Sequence, residues 1–123
     1  MAKPNILVVE DNFLIALDIQ ELLKSAGYQV ADVAASGKEA ISKAISLKPD
    51  LVLMDVGLKG NMDGIEAVKQ IRQHSNVPVI FLTGNSEQLE LENISEPHIS
   101  KPFTTSELQG LISSVLLRDS SAK

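Results

Sequence analysis

The stretch PDLVLMDVGLKG, residues 49–60, decides the fold. Leu51 to Met54 form an apolar run of strand length, of the kind found in strands buried on both faces. Strands of that kind belong to parallel sheets, whose faces are covered by helices. The run ends on Asp55, a carboxylate whose burial is costly unless something pairs with it. What holds this acid, and to what end, are the two questions the rest of the chain answers.

Working outward, apolar runs and amphipathic stretches alternate on both sides. NILVVE (residues 5–10) is an upstream strand, after which Ile15, Ala16, Ile19, Leu22 and Leu23 recur at helical spacing until Gly27 stops them. YQVADVAA (residues 28–35) reads as a strand. Ser36 and Glu39 make a capping box for a helix carrying Ala40, Ile41, Ala44 and Ile45 on one face. Downstream, Asp63–Gly64 reads as a turn and helix start, with Ile65, Val68 and Ile71 inward and His74 solvated near the helix end. VPVIFLT (residues 77–83) is a fourth strand and HIS (residues 98–100) a short fifth. Thr104 and Glu107 then box a last helix striped with Leu108, Leu111, Ile112, Val115 and Leu116. This β-α-β-α order predicts a parallel α/β sheet wound on both faces, because parallel strands need crossovers and crossovers are right-handed.

Composition sets the bounds. A chain of 123 residues supports one core, read here as a domain over 1–118 with a polar tail over 119–123. A net charge of −5 argues against direct nucleic-acid binding, since phosphate backbones call for clustered Lys and Arg. There are no cysteines, which excludes disulfides and thiolate metal sites and fits the cytoplasm. No apolar run approaches the roughly 18 residues of a membrane span, and the first residues lack a signal-peptide build. A soluble, cytoplasmic domain is expected.

In doubly wound sheets, ligands bind beyond the carboxyl ends of the strands. The residues delivered there are Glu10 and Asp11, Asp55, Thr83 and Lys101. With the strands in the order 2-1-3-4-5, the three acids come from neighbours. Carboxylates about 4 Å apart repel by about 4 kcal/mol per pair at an effective dielectric near 20, so the cluster calls for a cation. Oxygen ligands with room for water suit Mg²⁺ better than Ca²⁺. An Asp beside a metal, a Lys ammonium and a Thr hydroxyl is arranged as a nucleophile toward phosphorus. The metal, Lys101 and Thr83 can each take one phosphoryl oxygen.

At this point the chain resembles the receiver domains of two-component response regulators. The motifs that carry the resemblance are VVED (8–11), LMDVGLKGNMDGIE (53–66), FLTG (81–84) and KPF (101–103), in that order and spacing. The resemblance implies a flavodoxin-like fold with Asp55 as phosphoacceptor. It implies Mg²⁺ held by Glu10, Asp11, Asp55 and the backbone carbonyl of Gly57, phosphoryl contacts from Thr83 and Lys101, and a cis Lys101–Pro102 peptide. It further implies a sensor histidine kinase or histidine phosphotransfer protein as donor and a downstream protein as target. Nucleic acid and membrane insertion are not expected. Nor is enzyme activity beyond the domain's own phosphorylation and dephosphorylation.

Three departures stand out. The loop after Asp55 is slightly long, with Lys59 where a proline is common. The switch aromatic that works with Thr83 is replaced by His98, whose charge state near pH 6.5 offers a different coupling of output. The segment NSEQLELENISEPHIS (85–100) is short and, despite Leu89, Leu91 and Ile94, lacks a sustained helical stripe. A short, displaced or mobile fourth helix is expected, as in a single-domain branch with an F-x-T-G strand end. Two other readings remain. One is a Mg²⁺-dependent phosphohydrolase working through an aspartyl phosphate, although the position two residues after Asp55, where such enzymes place a second acid, is Gly57. The other is a degenerate receiver that binds partners without phosphorylation. A flavin protein is disfavoured by the acidic rim.

Overall fold

The structure, a computed structural model, describes residues 3–84, 89 and 92–122, the last four by backbone alone. Five strands, β1 (Asn5–Val9), β2 (Gln29–Ala34), β3 (Leu51–Asp55), β4 (Val79–Thr83) and β5 (His98–Ser100), form one parallel sheet in the order β2-β1-β3-β4-β5. Among the described residues four helices accompany them: α1 (Phe13–Ser25), α2 (Gly37–Leu47), α3 (Gly64–Ile71) and α4 (Thr105–Ala122). This is the flavodoxin-like architecture expected of the sequence.

The period of two along each strand divides the core. Ile6, Val8, Leu53 and Ile80 face α1 and α4, where Ile19, Leu23, Leu108 and Ile112 meet them. Leu7, Val9, Met54 and Phe81 face α2 and α3, against Ala40, Ala44, Ile65 and Val68. All five residues of β3 are buried, as are all five of β4. These central strands carry unbroken apolar runs because helices cover both of their faces.

Several boundaries differ from expectation for simple reasons. β4 begins at Val79 because Pro78, without an N–H, serves only as acceptor to Val52 (2.9 Å). Glu10 lies just past β1, although its N–H still bonds Ala34 O at 3.0 Å. Ile15 and Ile45, expected inward, are 40% and 39% exposed; Ala16 and Ala44 take the inward places beside them. α4 runs on to Ala122, so the polar stretch from Asp119 extends the helix and the boundary at 118 is one of composition.

Of the segment expected to hold a reduced fourth helix, residues 85–88, 90 and 91 lie outside the described residues. Leu89 is helical and fully packed on the α2/α3 side. Ile94 donates its N–H to Leu89 O at 2.9 Å and packs against the same cluster. Among the described residues no helix is long and apolar enough to cross a membrane.

Candidate functional site

Asn12 organises the first edge of the site. It is the N-cap of α1, its Oδ1 accepting from the N–H groups of Leu14 (3.0 Å) and Ile15 (3.1 Å). This satisfies two of the donors that a helix start leaves open. The same tight turn points Asn12 N–H back at Glu10 Oε2, 3.1 Å away. Glu10 is thereby held at the carboxyl end of β1 although it is only 3% exposed. Asp11 is half-buried, and its Oδ2 accepts from the backbone N–H of Lys59 at 3.2 Å.

Asp55 ends β3 and is 6% exposed. Its Oδ1 accepts from Gly57 N–H at 3.1 Å and from Lys101 Nζ at 3.2 Å. Lys101 reaches it because β5 ends one residue earlier, with Lys101 N–H bonded to Thr83 O at 2.8 Å, and the Lys101–Pro102 peptide is cis. Thr83 closes β4 and is 2% exposed. The five residues expected at the rim therefore stand at the ends of adjacent strands. Gly57 contributes its amide to Asp55, while a ligand role for its carbonyl remains an expectation. His98 is exposed on the edge strand, in register with Phe81.

Glu10, Asp11 and Asp55 each offer a carboxylate oxygen within 4.8 Å of the others. Glu10 Oε1 is buried and has no hydrogen-bond partner among the described residues; Lys101 Nζ is 3.5 Å away, an ion-pair contact rather than a bond. Such an orphaned acceptor is costly. A divalent cation would satisfy it and the mutual repulsion of the acids together, so the donor set fits a hard ion.

The charges respond to this setting. Burial raises the Glu10 carboxyl above its ordinary value of 4.5; Asp55 and Asp11 push it the same way, while the Asn12 amide and Lys101 pull against them. Burial acts upward on Asp11 too. There the Lys59 amide, the Glu10 carboxyl and the Lys59 charge outweigh it and leave Asp11 below 3.8. The two neighbours are thus pushed in opposite directions, Glu10 up and Asp11 down.

Two further residues contribute to the site. Gly64, the first residue of α3, lies so close to Asp55 that a Cβ there would run into the Asp55 carbonyl oxygen. Its N–H bonds Val56 O at 3.1 Å, which seats α3 directly behind the site. Lys59 lines the same cleft as the three acids and Lys101, about 460 Å³ in volume, whose mouth is edged by Phe13 and Leu14 of α1. Those two are 73% and 70% exposed.

The family described as the response regulator receiver domain matches residues 6–113. The transcriptional regulatory protein PdtaR of Mycobacterium tuberculosis is 36% identical over 107 residues, which are 84% of this chain and 52% of that protein. The chain spans about half the length of the curated relatives it matches. Among solved structures, the anti-anti-sigma factor PhyR of Bartonella quintana superposes with a TM-score of 0.87 at 36% identity, covering 99% of this chain and 51% of that one. The receiver domain of a Pseudomonas aeruginosa sensor histidine kinase has a TM-score of 0.84 at 35% identity, covering 94% of this chain and 98% of that one. A magnesium ion is coordinated in the active-site cleft of that structure.

Proposed function

The chain belongs to the response regulator receiver domain family, and from that premise we propose that it accepts a phosphoryl group on Asp55 from a phosphohistidine of a sensor histidine kinase or phosphotransfer protein. The observation that carries the reading is the convergence of three carboxylates within 4.8 Å, with Lys101 Nζ between Asp55 and Glu10. A metal-only site has no use for an ammonium at its centre; a phosphoryl site does.

In the transfer, an Asp55 carboxylate oxygen forms the new O–P bond as the P–N bond of the donor breaks. The imidazole nitrogen leaves with the electron pair and takes up a proton. Lys101 exchanges its contact with Asp55 Oδ1 for a phosphoryl oxygen, and the Thr83 hydroxyl donates to another. Glu10, Asp11, Asp55 and the Gly57 carbonyl would hold Mg²⁺, which supplies neutralisation of charge on the phosphoryl oxygens. Gly57 N–H and the packing of Gly64 keep Asp55 from turning away.

Docking of a protein donor is supported by α1. Phe13, Leu14 and Leu17 share one face at helical spacing and are 73%, 70% and 40% exposed beside the cleft. Output would leave through protein contact, by a bias on β4, β5 and the segment between them, with Thr83 and His98 as the switch pair. That the PhyR relative is described as an anti-anti-sigma factor agrees with a protein target. A two-state surface of this kind shifts only by the differential interaction of the phosphoryl group with its two states.

Intact-mass measurement after incubation with acetyl phosphate tests the acceptor. A gain of one phosphoryl mass that requires Mg²⁺ and is absent in Asp55→Asn is expected. No gain from acetyl phosphate or from a phosphorylated histidine kinase would leave a binding module that works without phosphorylation.

A further inference from the structure

Among the described residues, every charged side chain that lines the cleft has a part in the reading above except Lys59. It lines the cleft with Glu10, Asp11, Asp55 and Lys101. Its backbone is pinned there by the 3.2 Å bond from its N–H to Asp11 Oδ2. The side chain is exposed, free of the core, and its positive charge acts on the Asp11 carboxylate. The loop that presents it is anchored at its far end by Met62, which packs against the start of α2 at Gly37.

We propose that Lys59 is the donor-capturing cation of the cleft: its ammonium pairs with the incoming dianionic phosphodonor and offsets the charge left on phosphorylated Asp55. The inference rests on Asp55 as phosphoacceptor and names a further binding residue for that reaction. Charge balance supports it. Three ionised carboxylates would be neutralised by one divalent cation and Lys101. Conversion of Asp55 to a dianionic acyl phosphate then adds one further negative charge, and among the described residues Lys59 is the remaining cation lining the cleft. As a partly solvated charge it acts mainly on capture of the anion, and salt screens it.

The test compares Lys59→Gln and Lys59→Arg with wild type in the intact chain. Initial phosphorylation rates are measured against acetyl phosphate concentration with Mg²⁺, at about 50 mM and about 1 M salt, where the screening length falls to roughly 3 Å. Lys59→Gln is expected to lose about three- to tenfold in kcat/KM at low salt, mostly through KM, the scale of a single partly exposed charge. The gap closes at high salt, Lys59→Arg keeps the wild-type rate, and Mg²⁺ affinity of Lys59→Gln does not fall. An unchanged rate for Lys59→Gln at low salt overturns the proposal. So does an equal, salt-independent loss in both variants, which would place the effect in the loop backbone. Wild type left unmodified by acetyl phosphate and by a phosphohistidine donor alike overturns the acceptor reading and this role together. Modified wild type with an indifferent Lys59→Gln overturns the role of Lys59 alone.

Discussion

Gly64 and Gly37 offer a matched pair, each the first residue of its helix, and alanine at the two positions should have unequal consequences. A Cβ on Gly64 would meet the Asp55 carbonyl carbon at 2.9 Å and Met54 Cγ at 3.0 Å, with the carbonyl oxygen nearer still. Those atoms belong to β3, every residue of which is buried, and cannot step aside. A Cβ on Gly37 would meet Met62 Sδ at 2.8 Å and Cγ at 3.0 Å, the outer part of a flexible side chain that is only partly buried. Overpacking costs about 1–3 kcal/mol, and alanine in place of glycine in a helix offsets about 0.5–1 kcal/mol of that. With an unyielding neighbour, Gly64→Ala should lose about 1.5–2.5 kcal/mol net, or about 5–10 °C in Tm for a domain of this size. Gly37→Ala should stay within about 0.5 kcal/mol of wild type as Met62 rotates away. Because the atom displaced in Gly64→Ala is the backbone of Asp55 itself, its labelling by acetyl phosphate should fall tenfold or more, the cost of a small misplacement of a reacting group. Scanning calorimetry and intact-mass kinetics on the two variants suffice. Equal melting temperatures, or a Gly64→Ala protein as stable as wild type, would refute the close-contact argument.

Two further outcomes follow from the charges and from α1. Glu10 is raised above 4.5 chiefly by burial, so the folded protein keeps a proton that the unfolded chain has lost. Stability without metal should therefore decline as pH rises from 4.5 through the raised value. Mg²⁺ affinity should rise over the same window with release of a proton, and Glu10→Gln should abolish that release; calorimetry in buffers of different ionisation heat that finds no proton release would count against it. Leu17→Asp, at a site 40% exposed and outside the cleft lining, should slow transfer from a phosphorylated histidine protein by about tenfold or more, as loss of an apolar contact worth about 1.4 kcal/mol would. Labelling by acetyl phosphate should not change, and an equal drop with both donors would remove α1 as the docking face.

Glu10, Asp55 and Thr83 were legible in the sequence because each terminates an apolar run, and Lys101 because it follows the short strand HIS. The order of strands came with the receiver-domain resemblance, and the sheet has it. The helix starts were legible too. The box at Thr104 and Glu107 forms in both directions at 3.0 Å. At Ser36 the amide half forms, at 3.1 Å, and the Glu39 carboxylate pairs with Lys43. What was not legible has physical causes. Residues 13–17 read FLIAL; where every position is apolar, periodicity cannot choose the buried face, and the sheet chose Ala16 over Ile15. The Lys59 and Asn12 amides that orient the acids are backbone groups without a side-chain signature. Gly64 acts by what it lacks.

The position of Lys101 has a consequence for how the molecule opens. Asp55 stands on β3, hydrogen-bonded to strands on both sides and buried throughout. Lys101 follows β5, a three-residue edge strand whose His98 and Ser100 are exposed. Local opening takes the least protected elements first, so the edge strand should fray at far lower free energy than the centre of the sheet. In amide hydrogen exchange, the amides of Ile99 and Lys101 should lose protection well before those of Leu53 and Met54. Each such excursion would carry the ammonium away from the carboxylate while leaving the carboxylate in place. The site is thus assembled across a gradient of burial, with its carboxylate at the covered centre of the sheet and its ammonium just past the exposed edge.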